Sequence, residues 1–292
     1  MENQDKITVV VATDNFYAIL LAALIKSIEV NHKTGEKIDL FIIDDGVSEK
    51  NKELISGSGS KDMFTLHWCK TADVVPKDIK IPKDKSAFPV TAYLRIFGPY
   101  IIPPTAKRMI YFDVDMIMLK DISILWNMDI GDKVVGAVVD LCDIVGSSWG
   151  GIQNYKELGL DGNAKYFNSG LMVIDAVKWR EQDISNNVIK SINDNIGSIN
   201  FPDQYGLNLA LYGKWTILAK EWNSYSVLAY DDPNLIHFLD IKPIFKSYNT
   251  NKDYYNQFYK YLRLTPYGDF KPISDYRRIF RKAVIKIGKL FK

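Results

Sequence analysis

The sequence predicts an α/β fold in which a largely parallel sheet is covered on both faces by helices. Two observations carry this. Short apolar runs rich in Val and Ile recur along the chain, and segments with apolar residues at helical spacing separate them. Strands that are apolar on both sides belong to sheets buried on both faces. At 292 residues, 47% hydrophobic and 25% charged, the chain is an ordinary folded protein, long enough for one α/β domain.

The elements follow in order. "ITVVVA" (7–12) reads as a buried strand, and the segment after it repeats Ala18, Leu21, Ala22, Ile25 and Ile28 on one helical face. "IDLFIID" (38–44) and "MFTLHW" (63–68) are the second and third strands. "TAYLRIFGPYI" (91–101) predicts a helix stopped at Gly98-Pro99. "RMIYFD" (108–113), "KVVGAVVD" (133–140) and "GLMVID" (170–175) are further strands. "FPDQYGLNLAL" (201–211) predicts a helix with Asp203 suited to cap it. The polar, aromatic stretch 246–275 is expected to wrap the 1–245 domain rather than build its own core, and 276–292 to form a basic tail helix.

Net charge is only +2, which gives no basis for a nucleic-acid partner, and none is expected. The asymmetry sits in the tail: after Asp275 there is no acidic residue, while seven lysines and arginines follow. Ile279, Phe280, Ala283, Val284, Ile287, Leu290 and Phe291 share one side of that helix, the pattern of an interfacial helix drawn to an anionic membrane surface. A helix packed on the domain would carry the same pattern. Cys69 and Cys142 read as thiols in a reducing compartment. The N-terminal apolar run is too short for a signal peptide, and no stretch approaches the ~18 apolar residues of a membrane span. The expected location is the cytoplasm, peripheral on the inner face of the plasma membrane.

The chemistry is expected beyond the carboxyl ends of strands, where open α/β sheets bind ligands. One strand runs into Asp14, one into Asp113 and Asp115, one into Asp140. Residues i and i+2 of extended chain point the same way, so Asp113 and Asp115 can offer carboxylates to one cation. On spacing alone, two solvated turn carboxylates explain the pair equally well. Asn168, Ser169 and Gly170 are expected in a polar loop ahead of a strand. Asp203 and Gln204 open an apolar helix, and His237 follows an apolar pair, a setting equally open to a buried structural histidine.

Seven segments in order, "VVVATDNFYAILLAALIKSI", "TAYLRIFGPYI", "RMIYFDVDMIML", "GAVVDL", "YFNSGLMVIDAVKWR", "PDQYGLNLAL" and "IHFLDIKP", resemble glycosyltransferase family 8. The likeness covers most of residues 6–245 and is closest to the bacterial lipooligosaccharide galactosyltransferases and their general-stress relatives. It implies a single GT-A domain, a Rossmann-like nucleotide-diphospho-sugar transferase. It also implies a UDP-sugar donor (UDP-galactose or UDP-glucose), a saccharide or glycolipid acceptor, Mn²⁺ (or Mg²⁺), and transfer with retention. Matched by motif, Asp113, Asp115 and His237 would ligate the metal. Ala12, Asp14, Tyr17 and Val114 would hold the nucleotide, Arg95 the diphosphate and sugar, and Lys242 the β-phosphate. Asp140, Asn168, Asp203 and Gln204 would surround the donor sugar. The closing motif departs from the family pattern: "HFLDIKPIF" is one residue short, carries Asp240 where relatives have glycine, and lacks the tryptophan. That departure leaves a catalytically silent sugar-nucleotide or glycan-binding module open. "FDVDMIML" also resembles the strand-end D-x-D of haloacid-dehalogenase-type phosphatases, although here it lies mid-chain.

Overall fold

The computed structural model describes residues 6–77, 79–82, 89–280 and 283–284. Its main sheet has seven strands: β1 (Lys6–Asp14), β2 (Lys37–Asp45), β3 (Phe64–Lys70), β4 (Arg108–Phe112), β6 (Val135–Ile144), β7 (Lys165–Asp175) and β8 (Trp215–Ile217). They lie in the order β3-β2-β1-β4-β7-β6-β8. The first four are parallel, while β7 runs antiparallel to both β4 and β6. A small second sheet joins β5 (Met116–Met118), β10 (Leu235–His237) and β9 (Ser224–Tyr225) in the order β5-β10-β9.

Both faces of the main sheet are buried. Val9 and Val11 of β1 pack into one core with the helix Ala18–Asn31, and Val10 into another with Tyr93, Leu94, Phe97 and Trp179. This two-sided burial is why the strands carry no polar alternation. The helix Lys252–Leu262 lies against Ala18–Asn31 and adds Phe258, Tyr261 and Leu262 to the first core. Asn251 starts it by accepting from the backbone N–H of Asp253 and Tyr254. Among the described residues, no helix is long and apolar enough to cross a membrane. The basic helix expected over 276–292 lies mostly outside the described residues. Within it, Tyr276, Ile279, Phe280 and Val284 are exposed.

Three local expectations are corrected. Gly98-Pro99 does not stop the segment from Thr91: Thr91–Leu94 is α-helical, Arg95–Phe97 a 3-10 turn, and Gly98–Ile101 helical again. A proline is tolerated where it falls in the first turn of the new helical piece. A Cβ at Gly98 would meet Met109 Cε at 2.9 Å, a contact the end of that flexible side chain can relieve. Asn168, Ser169 and Gly170 are not in a loop but inside β7. Asp140 does not end its strand, because β6 continues through a register shift to Ile144.

Candidate active site

Strand order reverses between β1 and β4: from β1 the chain first builds outward through β2 and β3, then returns to the other side. The crevice beyond the carboxyl ends of such a pair is where a ligand fits. Asp14 ends β1, and its Oδ1 accepts from the backbone N–H of Phe16 and Tyr17 at 3.0 and 2.9 Å, turning the chain into the first helix. Ala12 is buried below it, and the Tyr17 ring stands edge-on to Phe16 with centroids 5.2 Å apart.

Asp113 and Asp115 sit where the chain leaves one sheet for the other. Pairing of β4 with β7 ends at Phe112, and β5 then pairs antiparallel with β10, setting Met116 opposite His237. The Asp115 carbonyl accepts from the Phe238 N–H at 2.9 Å, and Val114 is buried between the acids. This register brings His237 to residues more than a hundred positions earlier. His237 Nε2 lies 3.4 Å from Asp115 Oδ1 and 4.0 Å from Asp113 Oδ2. One ligand atom from each of the three side chains falls within 4.8 Å of the others.

A chain of amides sets the imidazole's protons. The Gly170 N–H donates to Asn168 Oδ1 at 3.0 Å, which identifies that atom as the oxygen. Asn168 Nδ2 therefore faces Asp140 Oδ2 (2.8 Å), and Asn223 Nδ2 donates to Asn168 Oδ1 (3.0 Å). Asn223 Oδ1 is then the atom 2.9 Å from His237 Nδ1, so Nδ1 carries a hydrogen and Nε2 is the nitrogen turned toward the carboxylates. Asn223 is fully buried and was not singled out from the sequence; it lies in a short 3-10 turn, Lys220–Asn223, with no motif to mark it.

The same network reaches the helix Pro202–Ala210. Gln204 Oε1 accepts from the Ser169 N–H at 3.1 Å, and Gln204 Nε2 donates to Asp140 Oδ2 at 3.3 Å. Asp203 does not cap this helix. The cap position belongs to Phe201, whose side chain does not cap the helix, and Asp203 Oδ2 instead pairs with Arg95 Nε at 3.1 Å. Buried Arg95 also pairs with Asp113 Oδ1 at 2.9 Å and donates to the Ser169 carbonyl at 2.7 Å. Its guanidinium lies over the Tyr111 ring, whose hydroxyl donates to Asp113 at 3.1 Å. Arg95 thus holds Asp113, Asp203 and β7 together.

Electrostatics distinguish the two acids. Burial pushes Asp113 up, and Arg95 only partly offsets it. Burial acts on Asp115 too, but Lys242 and His237 hold it below the usual carboxylate range. Lys242 Nζ pairs with Asp115 Oδ2 and donates to the Phe238 carbonyl, and Asp115 raises its pKa despite burial. The donor set fits a divalent ion: two carboxylates and one imidazole nitrogen, its other nitrogen pinned by a buried amide, suit Mn²⁺ or Mg²⁺ better than a thiolate-type metal. The closing turn carries a cost. Asp240 has φ +54°, the left-handed region a glycine enters freely.

The model of glycosyl transferase family 8 matches residues 8–266, most of the chain. The chain belongs to glycosyl transferase family 8. It is 28% identical to General stress protein A of Bacillus subtilis over 289 residues, covering 92% of this chain and 97% of that protein. It is 24% identical to a lipopolysaccharide 1,2-glucosyltransferase of Escherichia coli over 281 residues, covering 94% of this chain and 80% of that one. The fold is that of the galactosyltransferase LgtC, solved in complex with donor and acceptor sugar analogues (TM-score 0.71, 21% identity, 93% of this chain and 99% of that chain). The single α/β domain is therefore a GT-A glycosyltransferase fold. Family membership also decides against the phosphatase reading of the D-x-D strand.

Proposed function

We propose that this protein is a divalent-metal-dependent transferase that moves a hexose, galactose or glucose, from a UDP-sugar to a saccharide acceptor with retention of configuration. The observation that carries the reading is the meeting of Asp113, Asp115 and the Nε2 of His237 at the switch point of the sheet. When bound there, a metal ion supplies Lewis-acid neutralisation of the charge on departing UDP. Asp113, Asp115 and His237 would hold it, with Arg95 and Tyr111 keeping Asp113 in place.

Ala12, Asp14, Tyr17 and Val114 would hold the nucleotide. Lys242, which neutralises Asp115 in this structure, adds a fixed positive charge where the diphosphate develops negative charge. Asp140, Asn168, Asp203 and Gln204 form the polar wall assigned to the donor sugar. Gln204 is held at both ends of its amide, so its position at the reacting centre costs little ordering on binding. Similarity to a lipopolysaccharide glucosyltransferase supports an acceptor that is a precursor of a cell-surface saccharide. Residues 276–292 would keep the enzyme at the anionic inner face of the plasma membrane.

The test is incubation with a panel of UDP-sugars and Mn²⁺, following UDP release. One UDP-hexose is hydrolysed slowly, and Asp115→Ala abolishes this while its far-UV circular dichroism is unchanged. Full turnover in that variant would rule out the metal role. The left-handed Asp240 in the closing turn favours a second reading, a silent sugar-nucleotide-binding module. Stabilisation by UDP plus Mn²⁺ without hydrolysis of any donor would select it.

A further inference from the structure

Past Lys242 the chain leaves the crevice and forms one wall of a separate cleft of about 720 Å³ between the segment after β10, the start of the helix Lys252–Leu262, and Lys271-Pro272. This volume suits a ligand of several rings. Its walls are aromatic: Phe245, Tyr248 and Tyr255, with the two tyrosines stacked at 5.9 Å and 26°. Phe245 also stacks on Phe16 at 6.1 Å, so this ring pair stands between the cleft and the Asp14–Tyr17 turn.

The polar groups complement a sugar acid. Lys246, Lys252 and Lys271 line the cleft with no acidic residue among them. Among the described residues none of the three has a carboxylate partner. Asp275, which accepts from the Ser247 hydroxyl, is also engaged by Arg278. Exposed amides Asn249 and Asn256 offer donors and acceptors for hydroxyls. A single phosphate would be better served by bare backbone N–H groups at the helix start. There, Asn251 Oδ1 already takes those of Asp253 and Tyr254, both at 3.0 Å. Positive charge is thus spread over three long arms beside the partly exposed Tyr255, whose ring also packs on Tyr259 at 4.6 Å. That arrangement matches charges repeated along a chain rather than concentrated at one point.

We infer that this cleft is a second saccharide site, outside the catalytic crevice, which takes an acidic oligosaccharide whose carboxylates meet Lys246, Lys252 and Lys271 and whose sugar rings pack against the exposed part of Tyr255. The inference does not depend on the donor or metal assignment. The probe is tetramannuronate, titrated calorimetrically into the full chain and compared with neutral maltotetraose and inorganic phosphate. Tetramannuronate binds one to one. The Lys246→Ala/Lys271→Ala double variant weakens it by about tenfold or more, the loss expected for two charge-assisted contacts. Tyr255→Ala weakens it as well, with melting temperatures recorded to show that both variants fold. Saturating UDP with Mn²⁺ leaves the affinity unchanged, and Asp115→Ala binds tetramannuronate as the wild type does. Absence of binding at millimolar ligand, or unaltered affinity in both variants, overturns the proposal. Equal binding of maltotetraose overturns the acidic class, full competition by phosphate reduces the cleft to an ion site, and displacement by UDP with Mn²⁺ returns the ligand to the crevice.

Discussion

Gly170→Ala places one methyl group at the centre of the site. Gly170 lies in β7 and its φ is not in the left-handed region, so the backbone accepts alanine. The added Cβ would meet His237 Cε1 at 2.6 Å, Asp113 Oδ2 at 2.9 Å and Asn168 Oδ1 at 3.0 Å. Ordinary contact begins near 3.4 Å, so the imidazole must retreat by about 0.8 Å (3.4 minus 2.6). It cannot do so freely, because Nδ1 is tied to Asn223 and Tyr225 packs 6.2 Å away. Overpacking of this kind costs about 1–3 kcal/mol. If it falls on the cation-binding arrangement, affinity for Mn²⁺ drops by about 5- to 140-fold, at 1.4 kcal/mol per tenfold. The assay is the amplitude of the free Mn²⁺ electron paramagnetic resonance signal during titration, with the melting temperature measured alongside. Wild-type affinity in a folded variant would refute the reasoning, because it would mean that His237 is not held against Gly170 and the acids.

Other substitutions probe the supports. Asn223→Leu removes the acceptor that keeps the hydrogen on His237 Nδ1, and Mn²⁺ affinity falls by about 10- to 100-fold as for other residues behind a metal ligand; unchanged affinity in the same titration would show that the tautomer is set elsewhere. Asp240→Gly relieves a left-handed residue and raises stability to denaturant by up to about 1–2 kcal/mol, checked by urea unfolding; a lower stability would mean that the aspartate makes a compensating contact. Asp121 begins the helix Ile122–Trp126 and bonds His32 at 2.8 Å, and these contacts hold its carboxyl below the ordinary aspartate value of 3.8. A depressed folded pKa stabilises above the unfolded value and is lost on acidification. Asp121→Asn therefore lowers the melting temperature at pH 7, and the gap to wild type closes as pH falls below about 3.8. A gap that is the same at pH 3 and pH 7 would contradict this.

The strands and the D-x-D pair were legible because burial on both faces writes continuous apolar runs, and because charge at the end of such a run is unusual. Polar residues inside a strand were not. Asn168 and Ser169 look like a loop until they are seen to be partnered by Asn223, Gln204 and Arg95, and Gly170 until its carbonyl is seen to accept from the Asp113 N–H across the sheet. Asp203 looks like a cap because helix caps are common, and only the fold shows that Arg95 claims it. Gly98-Pro99 looks like a stop because both residues break helix interiors, and only the fold shows Pro99 in the first turn of a new helical piece. His237 could be matched to a motif, but its approach to Asp115 depends on pairing between β5 and β10, which no local pattern encodes. Asn223 had no local signal at all; a polar residue fully buried next to a histidine becomes informative only in three dimensions.

The claim on which the account rests is that one cation is gathered by Asp113, Asp115 and His237. The chain has three histidines. His32 is bound to Asp121 and His67 lies beside Asp39, so among the described residues His237 is the histidine grouped with Asp113 and Asp115. Electron spin echo envelope modulation of the protein with Mn²⁺ and UDP should show a single directly bound ¹⁴N that vanishes in His237→Gln. Bound Mn²⁺ without that nitrogen coupling, or with a coupling that survives the substitution, would contradict it.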